Sequence, residues 1–172
     1  MRAYFLRTER AGFSTWQSDD LPLARLLWGD GEVTRYISAT GVFTEEQIAA
    51  RLQLEMENQR RFGVQYWPVF SLLQEDFIGC CGLRPYPEDG VYEMGFHLRR
   101  SYWGMGLGTE LARAAIGYAF ETLKAKDLFA GHNPANLASQ KVLMKLGFHY
   151  VRDEFYPPTG LYHPSYRYRE GN

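Results

Sequence analysis

Cysteine is almost absent: the only two thiols are the neighbours Cys80 and Cys81 in a chain of 172 residues. Neighbours on a strand point to opposite faces, so no bridge between them is expected. No CxxC pair or Cys/His cluster suggests zinc, and no metal is expected. A reducing, cytoplasmic setting is the natural expectation. Long apolar runs are also missing. Nothing approaches the ~18 consecutive apolar residues of a membrane span, and Met1 to Arg10 is polar, without the apolar centre of a signal peptide. Charge of one sign is lacking too: Lys plus Arg is 19, Asp plus Glu is 20, and the net charge is −1. That balance argues against nucleic acid or membrane as a partner. No segment repeats and none is low in complexity. With 45% apolar and 23% charged residues the composition is globular. The length fits a single domain, expected to span 1–172.

Glycine and aromatics are what the chain has in excess. There are 17 glycines, above the usual ~7%, and aromatics reach 16%. The N-terminal stretch from Tyr4 to Trp16 reads as strand with a bend at Gly12, and Leu21 to Trp28 as a helix behind Asp19-Asp20. Thr44-Glu45-Glu46-Gln47 fits a capping box, and Ile48, Leu52 and Met56 recur every four residues, so 44–62 is an amphipathic helix closed by Gly63. The period then changes. Tyr66 to Leu73 (with Pro68 marking an edge or bulge), Phe77 to Leu83 and Val91 to Arg99 form an antiparallel meander. A helix begins at the run Trp103 to Gly108, with Leu107, Leu111, Ala114, Ala115 and Tyr118 as its stripe. Asp127 to Gly131 is a strand and Pro134 to Leu146 a helix capped by Gly147. Phe148 to Tyr156 and Leu161 to Tyr168 are the last strands. The class is α+β, a mixed sheet covered by helices.

Gly104, Gly106 and Gly108 fall between a strand and a helix start. Glycine lets the backbone turn sharply and leaves amides uncovered. With the positive end of the helix dipole, those amides make a phosphate or pyrophosphate site. The plain alternative is a tight turn without a ligand. A P-loop is ruled out because no Lys-Ser/Thr pair follows. The spacing is wrong for the G-x-G-x-x-G dinucleotide fingerprint, since position 109 is Thr. Asp127 keeps a nicotinamide reading alive, but the preceding antiparallel meander opposes it.

The stretch from Asn133-Pro134-Ala135-Asn136 through Ser139 to Gly147-Phe148 opens a helix just after a strand. Here the chain resembles the GNAT superfamily of N-acetyltransferases, and within it the ribosomal-protein-alanine N-acetyltransferase-like branch. Leu6-Arg7-Thr8-Glu9-Arg10 is similar to the opening "L-x-T-E-R-L" of that branch. Glu32-Val33 with Tyr36-Ile37 is similar to "P-E-V-x-x-Y-I", Glu93-Met94-Gly95-Phe96 to "E-I-G-Y", and Trp103 to Glu110 to "W-G-x-G-x-A-T-E-A". Five pieces occur in the right order over nearly the whole chain.

The resemblance implies a GNAT-type fold, with a mixed, mostly antiparallel central sheet, helices on both faces and a V-shaped splay between the fourth and fifth strands. It implies acetyl-CoA as co-substrate, with Trp103, Gly104, Met105, Gly106, Leu107, Gly108 and Thr109 cradling the pyrophosphate. The backbone of Phe96, His97 and Leu98 would pair with the pantetheine arm, Asn136 would bond it, and Ser139 would reach the thioester sulfur. For Asn136 a helix cap is the other reading. Many members carry a Tyr seven residues after that Asn as general acid. Here the position is Leu143, so Ser139 becomes the candidate to stabilise the leaving thiolate.

The implied reaction is direct attack of a primary amine, at a protein N-terminus or on a small molecule, on the acetyl thioester. Glu93 is the candidate base, with a solvated strand carboxylate as the other reading. His132 is a weaker candidate, and so is His97, which alternation is expected to turn away from Glu93. Trp28, Tyr36, Trp67 and Tyr162 are candidate acceptor contacts, with the core as the plainer home for most of them. The run 160–166 would shape the acceptor mouth. A non-catalytic CoA-binding or sensor module on the same fold is the alternative function. Monomer and homodimer both fit the sequence.

Overall fold

The computed structural model describes residues 1–171; Asn172, the last residue of the expected domain, lies outside the described residues. The N-terminal stretch is two short strands, β1 (Leu6–Arg7) and β2 (Ala11–Phe13), rather than one bent strand. Helix α1 (Leu21–Trp28) and the single turn α2 (Gly31–Thr34) follow. Helix α3 (Glu45–Phe62) starts on a complete capping box, Thr44 with Gln47, and stops at Gly63 in the left-handed conformation. Strands β3 (Tyr66–Ser71), β4 (Phe77–Pro85) and β5 (Val91–Leu98) form the meander. A 3-10 turn at Arg100–Tyr102 leads to α4 (Leu107–Glu121), β6 (Asp127–Gly131), α5 (Leu137–Leu146), β7 (His149–Tyr156) and β8 (Leu161–Tyr168). Helix α5 starts three residues later than expected. Asn136 is its N-cap, so residues 134–136 belong to the turn before it.

All eight strands join one sheet in the order β1-β2-β3-β4-β5-β6-β8-β7. Pro68 sits in the interior of β3, where the β3–β4 register also shifts between Val69 and Phe70. Its carbonyl accepts from Ser14 N–H just beyond the end of β2. The missing proline N–H therefore falls on the β2 side, just past the last β2 rung, and takes no bond from the β3–β4 ladder. Trp67, Leu83, Met94, Leu111 and Ala115 pack one face of the sheet with α4 and α5. Trp16, Leu27, Trp28, Ile48, Leu52 and Phe70 pack the other with α1 and α3. Cys81 falls in the first cluster and Cys80 in the second, both as free, buried thiols. The strand pleat sends them to opposite faces, as alternation requires.

Among the described residues, only β5 and β6 run parallel. They share three rungs, Val91 opposite Asp127, Tyr92 opposite Leu128 and Glu93 opposite Phe129, and then separate. Beyond that point β5 stays paired with β4 as far as Leu98, while β6 pairs with β8 through Gly131. This is the expected splay. It lies between the fifth and sixth strands because the N-terminal stretch counts as two.

The inner stripe of α3 is Ile48, Leu52, Glu55 and Asn58, with Met56 only partly buried. Glu55 is fully buried. Its carboxylate accepts from the Tyr66 backbone N–H at 2.7 Å and from the Arg84 guanidinium. Arg51 Nε lies 3.8 Å away, one helical turn back. One carboxylate thus ties α3 to two strands and balances two mostly buried guanidinium groups. Removing one member of such a group costs about 3–5 kcal/mol because the rest stay uncompensated. Glu55→Ala is expected to lower the unfolding free energy by at least about 3 kcal/mol in urea denaturation. A loss below about 1 kcal/mol would show that cavity water solvates both arginines without it.

Candidate active site

A cavity of about 680 Å³ opens where β5 and β6 part. Trp103, Gly104, Gly106, Leu107, Gly108 and Thr109 line one end of it. Gly104 and Gly106 have φ of 73° and 75°, the left-handed region that a side chain disfavours. Gly108 has no such need; a Cβ there would meet the Phe96 ring at 3.4 Å. Gly106 is also the N-cap of α4, and no side chain caps that helix. Its first-turn amides are left to an external acceptor, at the positive end of the helix dipole. Met105 is the one loop residue that does not line the cavity. Its carbonyl is turned outward to Arg10 Nη1 at 2.9 Å.

Strand β5 supplies the wall. Arg99 N–H donates to Ile78 O on β4. Backbone groups alternate along a strand, so the odd residues Gly95 and His97 bond towards β4 while Phe96 and Leu98 face the gap. The Leu98 carbonyl takes the Trp103 indole N–H at 2.8 Å. Phe96 therefore presents its own N–H and C=O to the cleft. The expected backbone contact at His97 is corrected by the same alternation; His97 reaches the cavity with its side chain. The opposite wall is the start of α5. Asn136 and Ser139 both line the cavity, and Asn136 Oδ1 caps the helix by accepting from Ser139 N–H at 3.2 Å. The cap occupies Oδ1 and leaves the Asn136 amide NH2 for a ligand. Leu143, at the position where the resemblance leads to the expectation of a general-acid Tyr, is a buried cavity-lining side chain.

The face of β5 turned to α1 and α3 carries the charged end of the cavity. Glu93 lies at the last shared rung, cross-strand from Arg84. Its carboxylate makes no hydrogen bond or ion pair within 4.0 Å among the described residues. Burial pushes its pKa up, and Arg84 and Arg51 pull it partly back. His97 is four residues further along, so it projects on the same face as Glu93, which corrects the expectation that alternation separates them. The indole N–H of the fully buried Trp28 donates to His97 Nδ1 at 3.1 Å. Indole can only donate, so the ring proton of the neutral imidazole sits on Nε2. Burial, with Arg51 and Arg84 close by, holds the His97 pKa well below the ordinary histidine value. His97 is a neutral donor and not a base. Both nitrogens of His132 are engaged, Nδ1 with Asn133 O at 2.7 Å and Nε2 with Tyr166 Oη at 3.1 Å. Burial pushes the Cys80 thiol, beside His97, up to about 12.

The four aromatic candidates separate. Tyr36 lines the cavity, and its carbonyl accepts from Asn133 Nδ2 at 3.4 Å. Trp28 and Trp67 are buried in the two core clusters, as large flat side chains usually are, and are corrected as acceptor contacts. Trp28 acts on the site through His97 and through Arg51, whose guanidinium lies over its ring. Tyr162 is 65% exposed, packs on Phe155 and does not line the cavity. Sequence reasoning missed Arg51, Arg84, Glu55 and Tyr66. One signal was present: Glu55 falls on the apolar stripe of α3, where a charge needs a partner. Among the described residues, no group of three His, Cys, Asp or Glu side chains is placed to hold a metal ion.

The site fits a ligand with a pyrophosphate at one end and an amide-bearing arm between the parted strands, which defines a fold and cleft for acyl-coenzyme A. A family model described as "Acetyltransferase (GNAT) domain" matches residues 10–149, and the chain belongs to that family. It is 31% identical over 136 residues to "Uncharacterized protein YkkB" of Bacillus subtilis (strain 168), covering 78% of each chain. It is 28% identical over 144 residues to "Uncharacterized N-acetyltransferase p20" of Bacillus licheniformis, covering 83% of this chain and 81% of that one. A GNAT-family acetyltransferase from Bacillus anthracis has the same fold, with a TM-score of 0.82 at 23% identity over 97% of this chain and 99% of that one. So has RimL, a ribosomal L7/L12 α-N-protein acetyltransferase solved with coenzyme A, at 0.79 and 15% identity over 97% and 98%. The chain is a GNAT-family N-acetyltransferase, and acetyl-CoA is the co-substrate of that family.

Gly106→Val puts a β-branched side chain at φ of 75°. The strain is about 1–2 kcal/mol, so the Kd for CoA is expected to rise about tenfold by calorimetry. An unchanged Kd would move the pyrophosphate away from this loop.

Proposed function

We propose that the acceptor is an α-amine, at a protein N-terminus or on a small α-amino compound, and that Glu93 is the base that takes its proton. The observation that carries this is the free Glu93 carboxylate at the apex of the splay, in a cavity whose lining histidines are each engaged, His97 by Trp28, His132 by Asn133 and Tyr166, and His163 by Thr159. Attack requires a neutral amine. An α-amine with a pKa of ~7.7–8.0 is readily deprotonated, whereas a lysine near ~10.4 needs a stronger base than a carboxylate. Phe96 N–H, one of the β5 amides that face the gap, is placed to meet negative charge developing on the thioester oxygen. Ser139 Oγ stands on the wall opposite and supports the departing thiolate, whose ordinary pKa of ~8.5 asks for little help. RimL, named for a protein α-amine, supports the N-terminal reading. An Aspergillus fumigatus relative 28% identical over 154 residues is named "FsC-acetyl coenzyme A-N(2)-transacetylase", and an acetyl transfer to a numbered nitrogen supports the small-molecule one. A cytoplasmic setting belongs to the same reading and is supported by the free thiols.

The test is CoA-thiol release with three acceptors: a peptide with a free N-terminus, the same peptide N-acetylated with one lysine, and a small α-amino amide. Turnover only on the lysine peptide would overturn the proposal. Glu93→Gln is expected to lower kcat/KM by about 10²-fold or more, and Ser139→Ala to lower kcat more than it raises the KM for acetyl-CoA. In the wild type, kcat/KM falls as pH drops through the Glu93 pKa, which burial sets above the usual carboxylate range. Arg84 stabilises the ionised form, so Arg84→Met should raise that pKa and move the acid limb to higher pH. Wild-type turnover in Glu93→Gln, or a limb that stays in place, would remove Glu93 as the base.

A further inference from the structure

Glu110 is the acidic residue in the first turn of α4, whose amides face the coenzyme loop. A carboxylate at a helix N-terminus is attracted to the same donors that an incoming anion needs. The structure turns it away from them. Glu110 Oε1 accepts from Thr8 Oγ1 at 2.6 Å and from the Arg10 backbone N–H at 3.1 Å, and Oε2 accepts from Arg10 Nε at 2.7 Å. Burial alone would raise its pKa, but the bonds from Thr8 and Arg10 outweigh burial and hold it below the usual range. The turn that supplies these donors is itself tied off. Thr8 N–H donates to Ala11 O at 2.8 Å, and Ala11 N–H donates to Thr8 Oγ1 at 3.0 Å.

The same guanidinium makes a second contact. Arg10 Nη1 donates to the Met105 carbonyl at 2.9 Å, between the two left-handed glycines. A trans peptide is planar, with its C=O and the following N–H pointing in opposite directions. Holding the Met105 carbonyl outward therefore turns the Gly106 N–H inward, to the side on which Gly106 lines the cavity. Glu110 fixes Arg10, and Arg10 fixes the peptide plane.

We propose that Thr8, Arg10 and Glu110 form a clamp, remote from the reacting atoms, that sets the 105–106 peptide for coenzyme binding. Arg10 is the positioning residue and Glu110 its anchor. The proposal rests on the loop 103–109 as the pyrophosphate site. It needs arginine in particular, because Nε and Nη1 serve two acceptors from one rigid plane, which an ammonium cannot do. It also joins two segments far apart in the chain, the opening Thr8-Glu9-Arg10 and Thr109-Glu110.

The test is steady-state kinetics and CoA calorimetry on Arg10→Lys, Glu110→Gln, Thr8→Val and Thr8→Ser. Arg10→Lys and Glu110→Gln should each raise the KM for acetyl-CoA and the Kd for CoA about tenfold, the scale of a lost charge-assisted hydrogen bond. Both kcat and the acceptor KM should stay within about twofold. Thr8→Val should act in the same direction and Thr8→Ser should restore wild-type values. Wild-type affinity in Arg10→Lys would show that the charge alone matters and would overturn the clamp. A fall in kcat or thermal midpoint with unchanged CoA affinity would assign Arg10 a purely structural role, and would also overturn it. Gly106→Val separates the two levels: if that variant binds CoA normally, the reading of the loop fails; if it binds poorly while Arg10→Lys binds normally, only the clamp fails.

Discussion

Strands β5 and β6 share three rungs and then part, and backbone groups are left without partners in the middle of a sheet. A buried N–H or C=O without a partner is expensive, so sheets ordinarily pair such groups. Here the gap is held open from both sides: β4 keeps β5 straight to Leu98, and β8 draws β6 away through Gly131. The opening runs through the sheet, so the glycine loop and α5 can reach it from one face while Glu93 and His97 reach it from the other. Coenzyme binding follows the logic of a peptide added to a sheet edge, except that the edge lies inside the sheet.

Electrostatics divides the cleft into two ends. At the loop end, the positive potential comes from uncapped backbone amides, so a chain with a net charge of −1 needs no basic surface to hold a pyrophosphate. At the far end, two arginines, a fully buried glutamate and Glu93 share one face. Glu55 carries the direct contacts, and Glu93 stays free of them. That division gives a base whose pKa is raised by burial yet restrained by nearby positive charge. Arg84 also stacks its guanidinium 4.0 Å above the Tyr66 ring, which fixes it in place without occupying Glu93.

The parts of this architecture written in local signals were legible in the sequence. The capping box at Thr44, the closing Gly63 and Gly147, and the bounds of β6 and β8 all depend on a few neighbouring residues. The glycine loop was legible for the same reason, since two of its three glycines adopt backbone angles that glycine alone accepts easily. The charged end was not legible, because it is assembled from α3, β3, β4 and β5, and its members meet only after the register is set. The expectation that alternation separates Glu93 from His97 is a misreading, since four residues apart on a strand of period two puts both on one face, as the structure shows. The tryptophans illustrate the opposite limit. Residue type cannot separate a core aromatic from a wall aromatic, and Trp28 is both buried and one hydrogen bond away from the cavity.

The central claim is that acetyl-CoA completes the sheet between β5 and β6 through the residues that face the gap. Amide hydrogen exchange along β5, resolved by residue with and without CoA, tests it most directly. The account predicts that CoA slows exchange at Phe96 and Leu98, while Gly95 and His97, already bonded towards β4, change little. Equal protection along the whole strand, or none at Phe96 and Leu98, would contradict it.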